Sequence, residues 1–213
     1  MMGESLSSLG LSGRKIPVLP YTSVKEAVFP FRRFKGVDTL LSPEMKSTGE
    51  VMGISRDFGG AFRDAQIASG MDLPVSGTVF VSVSDRDKEE AVRVSRDLVA
   101  LGFDLVATAG TAGRLEKEGI RTLKVNKVKE GRPHIVDLIK DGQVQLVINT
   151  VSGKQAQKDS LSIRQETLLR NIPYYTTIEG AKALVIALQT KGTPDSLRSL
   201  QELHRSILLP EKA

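Results

Sequence analysis

An α/β fold with a five-stranded parallel sheet and helices on both faces is predicted by three observations. From residue 78 onward, short apolar segments alternate with longer amphipathic ones, which is the pattern of strands followed by helices. The short segments are apolar without interruption, as in strands buried on both faces. The 213-residue chain is 40% hydrophobic and 26% charged, which is ordinary for a globular protein.

The predicted strands are, in order, residues 78–83, 103–107, 120–125, 144–149 and 172–177. The predicted helices are residues 87–101, a short one from 111 or 112 to about 118, 133–140, 159–170 and 179–189. The first helix has Ala91, Val94, Leu98 and Leu101 on one face. Pro133 suits the first turn of a helix because its φ angle is already helical.

Residues 1–70 lack this alternation and are predicted to be the end of a domain that begins further upstream. One strand is expected in residues 23–31, where Pro30 favours a sheet edge, and one helix from Ala61 onward. So few elements cannot bury a core by themselves. The predicted division is therefore this remnant, a linker at 71–77, the α/β domain at 78–190, and a tail at 191–213 with a helix at 195–207.

Ligands of parallel sheets bind beyond the carboxyl ends of the strands. The stretch FDLVATAGTAG places Thr108 and Thr111 where a strand gives way to a helix, and the free N–H groups of a helix start favour a phosphate. Lys88 and Lys127 are expected at the same edge, where their charges could neutralise a phosphate dianion. Asn149 follows the fourth strand and could read a base or sugar edge, or cap the next loop.

A purely structural interpretation of these residues is also open. In it, Gly110 permits a tight turn, Thr111 caps the helix and the lysines are solvated. Neither GxxxxGK[ST] nor GxGxxG after a strand occurs, so the two common nucleotide signatures are absent. No catalytic residue and no metal site is predicted, because Cys is absent and the two histidines, His134 and His204, lie far apart in the sequence.

Composition also limits the kinds of partner and the location that the chain is expected to have. The net charge is +5, but basic and acidic residues are interleaved and Trp is absent, so neither a nucleic-acid partner nor a basic stripe is predicted. No apolar run approaches the roughly 18 residues that a membrane span needs. The absence of Cys fits a reducing compartment, and a cytoplasmic location is expected.

Four segments, DKEEAV, FDLVATAGTAGRLEKEGI, VNKVKEGRPHIVDLI and VINTVSGK, together resemble a known family. They are similar, in this order, to the C-terminal allosteric domain of the carbamoyl-phosphate synthase large subunit, which has a methylglyoxal-synthase-like fold. The upstream segment SVKEAVFPFRRFKGVDTLLSPEMKSTGEVMGI resembles the end of the second ATP-grasp unit of that subunit. The resemblance covers about residues 1–190 and implies a C-terminal piece of a longer ligase that is not catalytic by itself.

The resemblance also implies roles for particular residues. The phosphate of a nucleotide effector, of the UMP or IMP type, is held in the family at positions that match Lys88, Thr108, Thr111 and Lys127. Asn149 matches a position near the base and ribose.

The family's pattern is not fully kept beside these residues. Where the bacterial pattern has a Thr, this chain has Val151, and where the pattern has a pair of Arg residues, this chain has Lys154 and Gln155. These differences affect the expected base specificity more than the expected phosphate binding. The family's ornithine site matches Glu26, Tyr174 and Thr176. The N-acetylglutamate site of urea-cycle relatives is not expected, because it uses a Trp and this chain has none.

For the parent protein, the resemblance implies synthesis of carbamoyl phosphate from bicarbonate, ATP and glutamine-derived ammonia, for arginine and pyrimidine biosynthesis. It implies ATP, Mg²⁺ and K⁺ in the parent and no cofactor in this segment. The implied partners are the nucleotide effector, the upstream domains and a glutaminase small subunit, with oligomerisation as a further possibility.

Two enzymes with related folds are the alternatives. A free-standing methylglyoxal synthase needs a catalytic Asp after the third strand, where the stretch EGRPH offers Arg132 instead. An inosinate cyclohydrolase domain shares the VSVSD…TAGTA pattern but needs downstream sequence that this chain does not contain.

Overall fold

The computed structural model describes residues 3–13, 19–29, 49–190 and 199–208. The strands are β1 Thr22–Val28, β2 Gly49–Ser55, β3 Gly77–Ser82, β4 Phe103–Thr108, β5 Leu123–Val125, β6 Leu146–Asn149 and β7 Tyr174–Tyr175. The helices are α1 Phe58–Ala68, α2 Lys88–Ala100, α3 Ala109–Lys117, α4 Ile135–Lys140, α5 Lys154–Asp159, α6 Leu161–Leu169, α7 Ile178–Gln189 and α8 Leu200–Leu208. A 3₁₀ turn, Asp85–Asp87, precedes α2.

Five strands form one parallel sheet in the order β5-β4-β3-β6-β7. The central strand β3 therefore lies between β4 and β6, and the carboxyl ends of these three strands meet at one edge. This sheet confirms the predicted α/β class. It also makes the first two strands of the domain neighbours, which the predicted convergence of Lys88 with the start of α3 requires.

Helices cover both faces of the sheet. Alternate residues of β3 illustrate this, because Val79 and Val81 belong to one apolar cluster and Phe80 to the other, and all three are almost fully buried. The first cluster packs under α2, α3 and α7, and the second under α4 and α6. Burial on both faces explains why the strands are apolar without interruption.

Residues ahead of the sheet form an antiparallel ribbon, β1–β2, covered by α1. The sequence analysis missed β2. The α1 helix starts at Phe58 rather than at Ala61, because the Asp57 side chain accepts a 2.8 Å hydrogen bond from the Gly60 N–H and caps the helix there. The ribbon and α1 form the small antiparallel unit that precedes the sheet, and α1 also packs against α7.

The α1–α7 junction is close. The Arg63 Nη1 donates a 3.0 Å hydrogen bond to the Thr190 carbonyl oxygen at the end of α7. A side chain at Gly59 would run into the Thr190 hydroxyl and the Ile186 carbonyl oxygen. The two helices therefore pack so closely at this position that only a residue without a side chain fits. The proposed boundary at 71–77 stays a prediction.

Several predicted element bounds are corrected by the structure. The third strand is reduced to β5, because Ile120 packs under the end of α3 instead of pairing in the sheet. The fifth strand is reduced to β7, because Thr177 already caps α7 by accepting a 3.1 Å hydrogen bond from the Gly180 N–H. The helix predicted at 159–170 is observed as α6, and the preceding helix α5, which ends at Asp159, was not predicted.

Two further differences concern helix starts. The α3 helix begins at Ala109, directly after β4, so Gly110 lies inside the first helical turn and no separate turn exists. The α4 helix begins after His134, whose Nδ1 accepts a hydrogen bond from the Asp137 N–H. The predicted tail helix is observed as α8; residues 191–198, like Pro30 and residue 31 of the predicted first strand, lie outside the described residues.

Candidate functional site

A cavity of about 740 Å³ lies beyond the carboxyl ends of the central strands. Its floor is formed by the ends of β3, β4 and β6, and its sides by the loops and helix starts that follow them. All five residues predicted for a nucleotide line it: Lys88, Thr108, Thr111, Lys127 and Asn149. The structure thus brings together residues that are up to 61 positions apart in the sequence, between Lys88 and Asn149.

The start of α3 forms one side of the cavity. Thr108 occupies the N-cap position, but its side chain makes no capping hydrogen bond, so the first N–H groups of the helix lack an internal partner. Lys88 points toward this helix start, since its Nζ lies 3.7 Å from the position that a Cβ at Gly110 would take. A helix start and an ammonium group therefore face the same space, which suits an anion.

Two threonine hydroxyls lie in the same region, and both residues are buried. The Thr108 Oγ1 is 3.2 Å from the Ser82 Oγ, so one of these hydroxyls donates to the other. The Thr111 Oγ1 accepts a 3.2 Å hydrogen bond from the Val83 N–H. Because this bond uses a lone pair, the Thr111 hydroxyl still has its proton to donate.

The cations of the cavity have carboxylate partners. The Lys88 Nζ lies 2.7 Å from the Asp85 Oδ1, and the Lys129 Nζ lies 2.6 Å from the Asp159 Oδ1. Lys127 is on the rim, 62% exposed, with its Nζ 3.9 Å from the Glu130 Oε1. An incoming anion would exchange these contacts for its own. Exposed pairs of this kind are weak, so the exchange costs little.

Asn149 lies deeper, at the end of β6, and is 2% exposed. Its Nδ2 donates a 2.7 Å hydrogen bond to the Tyr174 hydroxyl on the adjacent strand β7. This contact orients the amide and leaves its Oδ1 available as an acceptor. Beside it, Val128, Ile135 and Ile163 give the cavity an apolar side.

The three residues predicted for ornithine have different surroundings in the structure. Tyr174 contacts Asn149 at the cavity, whereas Thr176 is exposed just after β7. Glu26 is half-buried on β1, where it is hydrogen-bonded to Gln66, and it lies near Tyr175. Neighbouring residues of a strand point to opposite faces, so Tyr175, not Tyr174, faces the side on which Glu26 lies.

Burial raises the pKa of Glu26, and the hydrogen bond from Gln66 offsets this only in part. Burial also raises the pKa of Tyr175, and the charge of Glu26 adds to the effect. The Tyr175 hydroxyl donates a 3.0 Å hydrogen bond to the Gln66 Oε1. Gln66 therefore links β1 with β7 through two polar contacts.

Sequence reasoning assigned no role to the polar residues that hold the cavity's loops. Asp87 accepts hydrogen bonds from Ser84 and Thr150, both of which line the cavity. Ser84 and Thr150 lie within the strand ends that the parallel-sheet rule points to. Their roles depend on contacts between residues that are 63 to 66 positions apart in the sequence. A local sequence pattern does not predict such contacts.

Among the described residues, no group of three or more His, Cys, Asp or Glu side chains could hold a metal ion. Within the same residues, no helix has the length and apolar character that a membrane crossing requires.

The class of protein to which the parallel-sheet domain belongs is identified by a family model. Residues 90–176 match the family model described as "MGS-like domain". A methylglyoxal synthase from Elizabethkingia anophelis NUHP1 superposes with a TM-score of 0.44 and 20% identity, covering 66% of this chain and 97% of that one.

Over nearly its whole length, the chain matches the C-terminal region of the large chain of carbamoyl phosphate synthase. It is 50% identical over 207 residues to the carbamoyl phosphate synthase large chains of Xanthomonas campestris pv. campestris and Pseudomonas putida, which covers 97% of this chain and 19% of each relative. The Myxococcus xanthus large chain is 50% identical over 203 residues. The chain thus spans about a fifth of the length of these curated relatives, and the predicted resemblance is confirmed.

Proposed function

We propose that this chain is the regulatory segment of a carbamoyl-phosphate synthase and that its cavity binds a nucleotide effector of the UMP or IMP type. The observation that carries the proposal is the convergence of Lys88, Lys127 and the uncapped start of α3 on one cavity. These groups come from three different segments, and each one favours a phosphate independently.

The phosphate is proposed to lie between Lys88 and the start of α3. Its oxygens accept hydrogen bonds from the Lys88 ammonium, the first N–H groups of α3 and the Thr111 hydroxyl. Charge-assisted hydrogen bonds contribute about 1.5–3 kcal/mol each. Lys127, from the rim, adds a further charge that closes over the bound phosphate.

The rest of the nucleotide is proposed to extend toward β6. A base would pack against the apolar side formed by Val128, Ile135 and Ile163, with the Asn149 Oδ1 as an acceptor for one of its N–H groups. A cavity of about 740 Å³ is within the range of small-molecule sites.

The relatives' name, carbamoyl phosphate synthase large chain, supports a proposal for the parent reaction. The proposed reaction uses bicarbonate, ATP and glutamine-derived ammonia, with ATP, Mg²⁺ and K⁺ bound in parts of the parent outside this chain. A glutaminase small subunit and the upstream domains are the proposed partners, in the cytoplasm. Effector binding would shift the parent's activity through a coupling of about 1–3 kcal/mol.

An ornithine-like effector is a second proposal for the ribbon side. The half-buried Glu26 carboxylate offers an acceptor for a cationic amine, and the exposed Thr176 offers a hydroxyl at the sheet edge. Tyr174 lies on the opposite face of the sheet from Glu26, with its hydroxyl bonded to Asn149, so its part in such a site stays a prediction.

Calorimetric titration with UMP, IMP and inorganic phosphate tests the effector proposal. Lys88→Ala is expected to weaken nucleotide binding about 10- to 100-fold, and Lys127→Ala less, because Lys127 is more exposed. Lys124→Ala is the matched control, since Lys124 is an exposed residue of β5 outside the cavity. Unchanged affinity in both Lys88→Ala and Lys127→Ala would refute the site.

An assay of methylglyoxal formation from dihydroxyacetone phosphate separates the regulatory proposal from the related enzyme. No product is expected. Arg132 occupies the place of the required acid and has a largely exposed side chain.

A further inference from the structure

The hydroxyl groups that line the cavity differ in whether they can donate or only accept a further hydrogen bond. This difference originates at Asp87, which directly precedes α2 and whose side chain is 12% exposed. The Asp87 Oδ2 accepts a 2.7 Å hydrogen bond from the Ser84 Oγ and a 2.6 Å hydrogen bond from the Thr150 Oγ1. One carboxylate oxygen therefore holds the loop after β3 and the end of β6 together.

Asp87 is ionised in this network. Burial alone would raise its pKa, but the hydrogen bonds from Thr150 and Ser84 and the charge of Arg86 outweigh it and leave the pKa below its usual value. An ionised carboxylate can only accept. Ser84 and Thr150 must therefore each give their single hydroxyl proton to Asp87.

Because both hydroxyl protons are donated to Asp87, Ser84 and Thr150 can only accept further hydrogen bonds. The Thr150 Oγ1 uses one lone pair on the Ser84 N–H, at 3.1 Å. Ser84 lines the cavity, and its Oγ keeps its lone pairs. The situation is reversed at Thr111, which uses a lone pair on the Val83 N–H and keeps its proton. Thr111 can thus donate to a phosphate, whereas Ser84 can only accept from a ligand's hydroxyl or N–H.

We propose that Ser84, held by Asp87, is a specificity-determining residue whose Oγ accepts a hydrogen bond from a ribose hydroxyl of the effector. The inference rests on the proposed function. With the phosphate at Lys88 and the start of α3, the sugar is the next group of a nucleotide. Ser84 lies on the loop that leads into Lys88, and therefore borders the space that the sugar would fill.

The test compares ribonucleotides with deoxynucleotides by calorimetry. Whichever of UMP and IMP binds more tightly is titrated beside its 2′-deoxy and 3′-deoxy forms. The wild-type chain is expected to bind the ribonucleotide about 3- to 10-fold more tightly than at least one deoxy form, the effect of one neutral hydrogen bond. Ser84→Ala is expected to lose this preference, with unchanged affinity for the deoxy form, and Ser84→Thr to keep it.

Ser76→Ala is the matched control, because Ser76 is an exposed serine at the opposite end of β3. Equal wild-type affinity for the ribo and both deoxy forms overturns this inference and leaves the effector proposal standing. Absence of binding by both UMP and IMP overturns both. A ribose preference that persists in Ser84→Ala also overturns the inference, because another residue of the cavity would then hold the hydroxyl. Equal wild-type affinity overturns it without any variant.

Discussion

The Lys88 ammonium lies 2.7 Å from the Asp85 carboxylate, at the cavity in which Lys88 is proposed to hold a phosphate. The hydrogen bond and charge of Lys88 lower the pKa of Asp85. Asp85 is 95% exposed, whereas Lys88 is 26% exposed. The carboxylate is thus a solvated group that pairs with the ammonium until an anion replaces it.

Replacing Asp85 should strengthen anion binding. In Asp85→Asn, the effector no longer competes with a carboxylate for Lys88, and a nearby negative charge is removed. Nucleotide affinity measured by calorimetry is expected to rise about two- to fivefold. Asp104→Asn, an equal charge change on an exposed residue of β4 outside the cavity, should leave affinity unchanged. Weaker binding by Asp85→Asn would mean that Asp85 instead holds Lys88 in its binding position.

The two tyrosines of β7 should have separable effects. Tyr174→Phe leaves the buried Asn149 amide without its hydroxyl partner and is expected to lower both nucleotide affinity and the free energy of unfolding, the latter by about 1–3 kcal/mol. Tyr175→Phe removes only the contact with Gln66 and should lower stability without changing nucleotide affinity. Equal losses of affinity in both variants would contradict this division between the two faces of β7.

Glu26 should make stability depend on pH. Burial raises its pKa above 4.5 in the folded state, with the Gln66 hydrogen bond as a partial offset. The folded chain therefore binds this proton more tightly than the unfolded chain does. The resulting stability is full below pH 4.5 and is lost as pH rises through the folded-state pKa.

Because Gln carries no charge, Glu26→Gln should gain stability over the wild type as pH rises and show no gain in acid. Thermal unfolding from about pH 4 to about pH 8 measures this difference. Glu50→Gln is the control for loss of a carboxylate, because Glu50 is an exposed residue of β2 that pairs with Lys25. A gain that is constant with pH would contradict the prediction.

Close packing of β2 on α1 predicts a strong effect at Gly53. A Cβ there would overlap the Ala61 carbonyl oxygen and the Ala65 backbone nitrogen, which are helix backbone and cannot move aside. Gly53→Ala is expected to lower the free energy of unfolding by about 1–3 kcal/mol or more. Gly49→Ala, on the same strand and facing open space, should change it little. Chemical denaturation compares the two.

The fold class could be predicted because the apolar segments of this chain are both regular and continuous. Val79, Phe80 and Val81 show the principle, since a strand buried on both faces must be apolar at every position. Strand ends were less predictable. Ile120 has the character of a strand residue, and only packing under α3 removes it from the sheet.

The convergence of Lys88, Thr108, Thr111, Lys127 and Asn149 could be predicted because the carboxyl ends of parallel strands share one edge. The sequence could not indicate which residues hold that edge in place. Asp87 meets Thr150 across 63 residues, and the direction of the Ser84 hydroxyl proton depends on that meeting.

The sequence by itself determined the alternation of strands and helices, the family, and the positions of the cationic and hydroxyl groups along the chain, because each is a local pattern. Only the tertiary structure decided that Tyr174 faces Asn149 while Tyr175 faces Gln66, and that Asp87 makes Ser84 an acceptor. Those relationships depend on which strands are neighbours, and that order is settled by the packing of the whole sheet.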